Sequence, residues 1–193
     1  MRITGGNLAG RVLRAPRSGA RPTADRVREA VFARLDPSDA TLLDLYAGSG
    51  ALGIEALSRG AAHCVFVEHS VQCAAVLREN LASLELGPRA EVIVADAVRA
   101  IRRLAEGGRR FDLALLDPPY ASEEVGRALA ALAGSELLPD GAMVVIETSR
   151  RKPPAPVAGL EAVDERRYGD TLITRLRRAR AAGVGATGRS VGG

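Results

Sequence analysis

Apolar positions along the chain follow two alternating rhythms. Five short, nearly continuous runs at 41–46, 64–68, 91–96, 111–117 and 142–147 have the length and composition of buried strands. Between them, residues 51–59, 70–84, 98–105 and 123–133 carry apolar side chains at helical spacing, and Gly60 is placed to cap the first of these helices at its C-terminus. A further helix opens at Arg21-Pro22-Thr23, with Thr23 as N-cap and Val27, Ala30, Val31 and Leu35 on one face. Pro153, Pro154 and Pro156 mark a linker, after which 160–166 and 171–177 flank Tyr168-Gly169-Asp170 as a hairpin. Strands alternating with helices predict an α/β fold, an open and mostly parallel sheet with helices on both faces, whose ligands bind beyond the carboxyl ends of the strands.

The length of 193 residues suits one domain, expected over 1–178, with residues 1–35 as a basic N-terminal segment and helix packed on it. From Gly183 onward five of eleven residues are Gly, so 179–193 reads as a disordered tail. No window approaches the roughly 18 apolar residues of a membrane span, and the N-terminus has no apolar signal region. Cys64 and Cys73 cannot build a disulfide framework, and no Cys/His cluster has metal-ligand spacing. The expectation is a cytoplasmic protein, independent of membrane and metal, and monomeric because no large apolar patch advertises an interface.

Net charge changes the picture because it is unevenly spread. Residues 1–35 hold eight Arg against Asp25 and Glu29; residues 36–147 hold nine Arg against seventeen acids; residues 148–193 hold ten basic groups against four acids. An acidic body thus lies between basic ends. Of 27 cations only Lys152 is Lys, a skew that coding bias could produce, although Arg is also the side chain that grips phosphate with a planar fork. Basic termini are a footprint of nucleic-acid binding, while six aromatic residues are too few for an extended base-stacking platform.

The chemistry starts at Gly48-Ser49-Gly50-Ala51-Leu52-Gly53, a G-x-G-x-x-G turn between a strand and a helix, with Glu68 at the end of the next strand. Alone, this is also the dinucleotide fingerprint of a nicotinamide-dependent oxidoreductase. Charge discriminates. Asp44, Glu68, Asp96 and Asp117 stand at strand ends without a cation beside them in the strand, which disfavours a pyrophosphate. S-adenosylmethionine, with a sulfonium and an ammonium against one carboxylate, is net cationic and suits such a ring. In this reading Asp44 and the backbone of Ala47, Gly48, Ser49 and Gly50 hold the methionine end. Glu68 accepts from the ribose hydroxyls, and Asp96 with the backbone at Ala97 reads the adenine edge.

Asp117-Pro118-Pro119-Tyr120 closes the fourth strand. An exocyclic amine on a base is a poor nucleophile, because its lone pair is delocalised into the ring. Acceptors on both N–H bonds would draw the nitrogen toward a tetrahedral shape; the Asp117 carboxylate and the Pro118 carbonyl can serve. The two prolines stiffen the loop and offer no N–H, and Tyr120 can stack on the base.

Arg21–Glu29, Asp44–Gly53, Glu55–Ala61 and the Asp117–Tyr120 corner, with Arg2-Ile3-Thr4-Gly5-Gly6 and Tyr168-Gly169-Asp170, together resemble the bacterial RsmD-type small-subunit rRNA guanine-N2 methyltransferases over about residues 1–178. The resemblance implies a class I S-adenosylmethionine-dependent methyltransferase fold, a seven-stranded Rossmann-like sheet with the last strand antiparallel. It implies a guanine of 16S rRNA as substrate, usually within the assembled 30S particle. It also implies that Thr23 closes over the cofactor and that Arg11, Arg21, Arg26 and Arg28 approach the RNA. A DNA adenine-N6 or protein glutamine-N5 methyltransferase is the nearest alternative. Such enzymes usually carry Asn in place of Asp117, and many add a recognition domain for which this length leaves no room.

Overall fold

In the computed structural model, which describes residues 1–15, 25–118 and 122–180, the apolar runs become strands of one sheet. The strands are β1 (Thr41–Leu45), β2 (His63–Glu68), β3 (Ala90–Val94), β4 (Leu113–Leu116), β5 (Met143–Ser149), β6 (Leu160–Tyr168) and β7 (Thr171–Arg178). The helices are α1 (Asp25–Phe32), α2 (Ala51–Ser58), α3 (Val71–Ser83), α4 (Ala97–Glu106) and α5 (Ser122–Ala133). Strand order is β3-β2-β1-β4-β5-β7-β6, with β1 to β5 parallel and β7 antiparallel to both its neighbours. The order reverses between β1 and β4, so the crevice at their carboxyl ends is where a ligand fits.

Alternation along each central strand sends one set of side chains to each face. Leu42, Cys64, Phe66, Leu113 and Leu115 pack with α1, α2, α3 and the N-terminal segment. Leu43, Leu45, Val65, Val67, Ala114 and Leu116 pack with α4 and α5. Residues 1–14 fold back on themselves through the Arg2–Val12 bridge and lie across α2 and α3.

Boundaries differ from the expected ones where capping decides them. Asp96 is not the end of a strand: its side chain accepts the Arg99 N–H at 3.1 Å, making it the N-cap of α4. Gly60 follows the Arg59 C-cap at φ +102°, and Ala61 N–H donates to Ala56 C=O at 3.0 Å, the Schellman closure that the glycine permits. The helix starting signal at Arg21-Pro22-Thr23 and the tail from 181 lie outside the described residues.

Candidate active site

The glycine turn follows directly from β1. Tyr46 adopts φ +62°, a conformation costing a non-glycine residue on the order of 1 kcal/mol or more, and Gly48 and Gly50 follow at +57° and +86°. A Cβ on Gly50 would fall 2.3 Å from Leu77 Cδ1, and one on Gly53 2.3 Å from Phe66 Cε1. These glycines therefore seat the turn and α2 tightly on the sheet. Gly48 is different: a Cβ there would meet nothing nearer than the Tyr46 carbonyl at 4.0 Å, so its backbone is open to an incoming group.

Carboxylates fix the turn. Asp44, 1% exposed, accepts the Gly53 N–H at 2.9 Å and ties α2 to β1. Glu68 accepts Gly48 N–H at 2.8 Å on one oxygen and Ser70 N–H at 2.7 Å on the other, linking the turn to the β2–α3 junction. Each Glu68 oxygen retains a second lone pair for a hydroxyl. Asp117, half-buried, stands one residue past the Leu45–Leu116 register pair, and buried Pro118 follows it. Burial, with Asp117 and Glu68 adding repulsion, pushes the Asp44 carboxyl up to about 8 against the opposing pull of the Gly53 N–H. Among the described residues, no group of His, Cys, Asp and Glu has the arrangement of a metal site.

Behind the turn lies polar wiring that sequence reasoning missed. Asn80, 1% exposed on α3, donates to the Ser49 and Arg14 carbonyls and accepts the Arg14 N–H, joining the N-terminal segment to the turn. Glu55, fully buried on α2, accepts from Thr4 N–H at 2.8 Å, Thr4 Oγ at 2.7 Å and Arg59 Nε at 2.8 Å, with Arg28 Nε at 3.8 Å. One acid inside an otherwise apolar helix, Ala51–Ser58, was the available signal.

The donor set fits S-adenosylmethionine: acceptor-rich side chains at the carboxyl edge, open backbone at Gly48 and, among the described residues, no cation within ion-pair distance of Asp44 or Glu68 other than His69, 3.2 Å from Glu68 if protonated. The family model described as Conserved hypothetical protein 95 matches residues 1–177. The chain belongs to this family, the RsmD-type methyltransferases. The ribosomal RNA small subunit methyltransferase D of Escherichia coli K12 is 40% identical over 151 residues, 77% of this chain and 74% of that protein. Its Haemophilus influenzae counterpart is 36% identical over 157 residues, covering 79% and 81%. Among solved structures, yhhF from Escherichia coli superposes with a TM-score of 0.81 at 36% identity, covering 94% of this chain and 99% of that one.

On this RsmD-type frame the expected site residues do not all come together. Asp44, Ala47, Gly48, Ser49, Gly50, Glu68 and Asp117-Pro118 gather at the carboxyl ends of β1, β2 and β4, while Asp96 and Ala97 sit at the start of α4 beyond β3. Arg11 and Arg26 are exposed, and Arg11 also donates to the Ser83 carbonyl at 3.0 Å. Thr23, Arg21, Pro119 and Tyr120 lie outside the described residues. Arg28 is a correction. Its side chain has no solvent exposure and bonds to the Arg2 carbonyl and, at 2.7 Å, to Asp25, so it holds α1 to the N-terminal segment and cannot reach RNA. Asp44 differs from the other acids of the ring: its burial pushes the carboxyl up to about 8, so ionising it costs more.

Proposed function

We propose that this enzyme methylates the exocyclic N2 amine of a guanine in small-subunit ribosomal RNA, using S-adenosylmethionine. The observation that carries the reading is the Asp117-Pro118 corner standing beside the glycine turn at the switch point of the sheet. The substrate class follows from membership in a family whose relatives are named for small-subunit rRNA methylation. A cytoplasmic monomer acting on the 30S particle is the form of the protein this reading uses.

When bound, the cofactor supplies an electrophilic methyl group. Ala47, Gly48, Ser49 and Gly50 would approach its methionine end through backbone, Glu68 the ribose, and Asp96 with Ala97 the adenine. Asp117 and the Pro118 carbonyl would each accept one N–H of the guanine amine, aiming its lone pair at the methyl carbon. As the new N–C bond forms, the methyl carbon's bond to the sulfonium sulfur would break and leave a neutral thioether, and the nitrogen would lose one proton to the Asp117 carboxylate or to a water molecule. The rate gain is then positioning and electrostatics rather than covalent catalysis.

The test supplies methyl-labelled S-adenosylmethionine with unmodified small subunits, naked small-subunit rRNA, duplex DNA and total protein, and identifies the labelled product. N2-methylguanosine from subunits or rRNA is expected. Label in N6-methyladenine or in protein would overturn the substrate and keep the cofactor. Asp117→Ala should abolish transfer while cofactor binding by calorimetry stays nearly unchanged.

A further inference from the structure

Two basic stretches that play no part in the site meet at one place in the fold. The segment after β5 carries Arg150, Arg151 and Lys152, and the end of β6 carries Arg166 and Arg167; all five are exposed. The Arg150 N–H donates to the Asp170 carbonyl at 2.9 Å, and Ser149 pairs with Thr171 while Tyr168 pairs with Thr171 across the turn. These bonds hold the two stretches side by side.

Their place along the sheet brings them near the chemistry. Leu116 on β4 is in register with Ile146 on β5, so Asp117 stands level with Glu147, and Arg151 comes only four residues later. At about 3.3 Å per residue and about 4.8 Å between strands, the cations begin within roughly 15 Å of the Asp117 corner.

Most of these side chains make no close ion pair, although Arg166 lies near enough to Asp164 to help hold its carboxyl below the usual carboxylate range. Arg175, on the neighbouring strand, is bonded to Asp164 at 2.7 Å, and Arg178 donates to the Ala133 carbonyl. Arg150 lies 3.5 Å from Asp170, with both groups largely exposed. Among the described residues, Arg151, Lys152, Arg166 and Arg167 have no ion pair within 4.0 Å. Register sets Arg166 opposite Ile173 and Arg167 opposite Leu172, so the two guanidiniums project from opposite faces of the edge strand and straddle it.

We propose that this cationic ledge at the ends of β5 and β6 grips the sugar-phosphate backbone of the rRNA beside the target guanine. The proposal rests on the rRNA reading above. Phosphate is the chemistry indicated: exposed forked donors, most of them without an ion pair within 4.0 Å among the described residues, suit a sugar-phosphate backbone. Charges on an edge strand also discourage strand-to-strand association. That role would be served anywhere along β6, yet its cations gather at the end nearest the cleft, after Glu161, Asp164 and Glu165.

The test compares full-length Arg166→Gln/Arg167→Gln with Arg102→Gln/Arg103→Gln, an equal charge loss on exposed positions of α4. Methylation of unmodified small subunits is measured across a salt series, with melting temperature and cofactor affinity by calorimetry alongside. The ledge variant should raise KM for the subunit tenfold or more, leave kcat within about twofold, and bind cofactor and melt as wild type. Each lost phosphate contact should flatten the log-affinity against log-salt slope by about 0.7 to 0.9. The α4 variant should match wild type throughout. If the wild type labels RNA and the two variants behave alike, or the ledge variant only aggregates with an unchanged KM, the ledge proposal falls and the function stands. If the wild type labels no RNA, both fall.

Discussion

The two faces of the sheet are held by different physics. Beneath α4 and α5 the contacts are aliphatic: Leu43, Leu45, Val65, Ile101, Leu104, Leu129 and Leu132 close against one another with little polar content. Beneath α1, α2 and the N-terminal segment an apolar layer exists too, but buried Glu55, Arg28, Asn80 and Ser58 are threaded through it. Ser58 alone donates to the Gly5 carbonyl at 2.6 Å and accepts the Leu8 N–H at 3.0 Å. Apolar area stabilises without direction, whereas hydrogen bonds fix orientation and penalise every wrong one. The face that must set the glycine turn and the N-terminal segment to a fraction of an ångström uses directional bonds. The face that only has to cover the sheet does without them.

Removing Glu55 is the strongest way to break this contrast. Glu55→Ala strips the shared acceptor from Thr4, Arg59 and Arg28, leaving cations in a buried site, a change worth about 3–5 kcal/mol. Loss of transfer activity should accompany it at temperatures where the protein is still folded. Leu129→Ala, in a fully buried position on α5, should cost about 2–5 kcal/mol by cavity formation. Thermal unfolding should register both, yet kcat/KM of the folded Leu129 variant should stay within about twofold of wild type. Equal kinetic damage from the two would erase the distinction between the faces.

How much of this was visible beforehand follows the same division. The alternating apolar runs gave the parallel sheet and its two apolar layers, because strand and helix periods are printed directly in the order of residues. The glycine turn and Asp117-Pro118 were legible for a related reason: their chemistry is local, contained in a few consecutive positions. Arg28 was misassigned because its meaning depends on groups 26 residues upstream, at Arg2, and 27 downstream, at Glu55, which only folding brings together. An Arg at helical spacing looks the same whether it faces solvent or a buried acid. Asp44 stands at the strand end where the sequence puts it, but the burial that raises its carboxyl, and with it the charge the group carries, was not legible, since solvation is a property of the surroundings.

That charge makes the next prediction one of pH. The unfolded chain has Asp44 near 3.8 and the folded chain near 8, so between those values the folded state holds a proton that the unfolded state has released. Stability from this group is therefore fully present below about pH 4 and lost as pH rises toward 8, with a slope of up to about 1.4 kcal/mol per pH unit. Asp44→Asn, which keeps an acceptor for the Gly53 N–H, should flatten that part of the stability profile. Titrating the wild type with S-adenosylmethionine at pH 7 in buffers of different ionisation enthalpy should show proton release, because a cationic ligand favours the ionised carboxyl. A binding enthalpy independent of buffer would overturn the coupling.

Asn80 offers a finer test of the wired face. Asn80→Ala leaves the Arg14 N–H and the Ser49 carbonyl without their partner and should cost about 1–3 kcal/mol. Because one of those groups belongs to the glycine turn, cofactor affinity should fall with it, while Leu132→Ala on the other face leaves affinity unchanged. A calorimetric comparison of the two decides.

The smallest effect comes from Asp96, where a polar group serves the otherwise aliphatic face. Its carboxylate caps α4, and the same group is proposed to read the adenine edge. Asp96→Ala should lower stability by about 1 kcal/mol and weaken cofactor binding, which cannot tell the two roles apart. Asp96→Asn can. Asn caps a helix as well as Asp does, so the melting temperature should stay at the wild-type value. Replacing one acceptor oxygen by an amide donor leaves a single acceptor to serve both the Arg99 N–H and the adenine amine, and cofactor affinity should fall several-fold. Unchanged affinity in this variant would leave Asp96 as a helix cap only, and the α4 face with no part in ligand recognition.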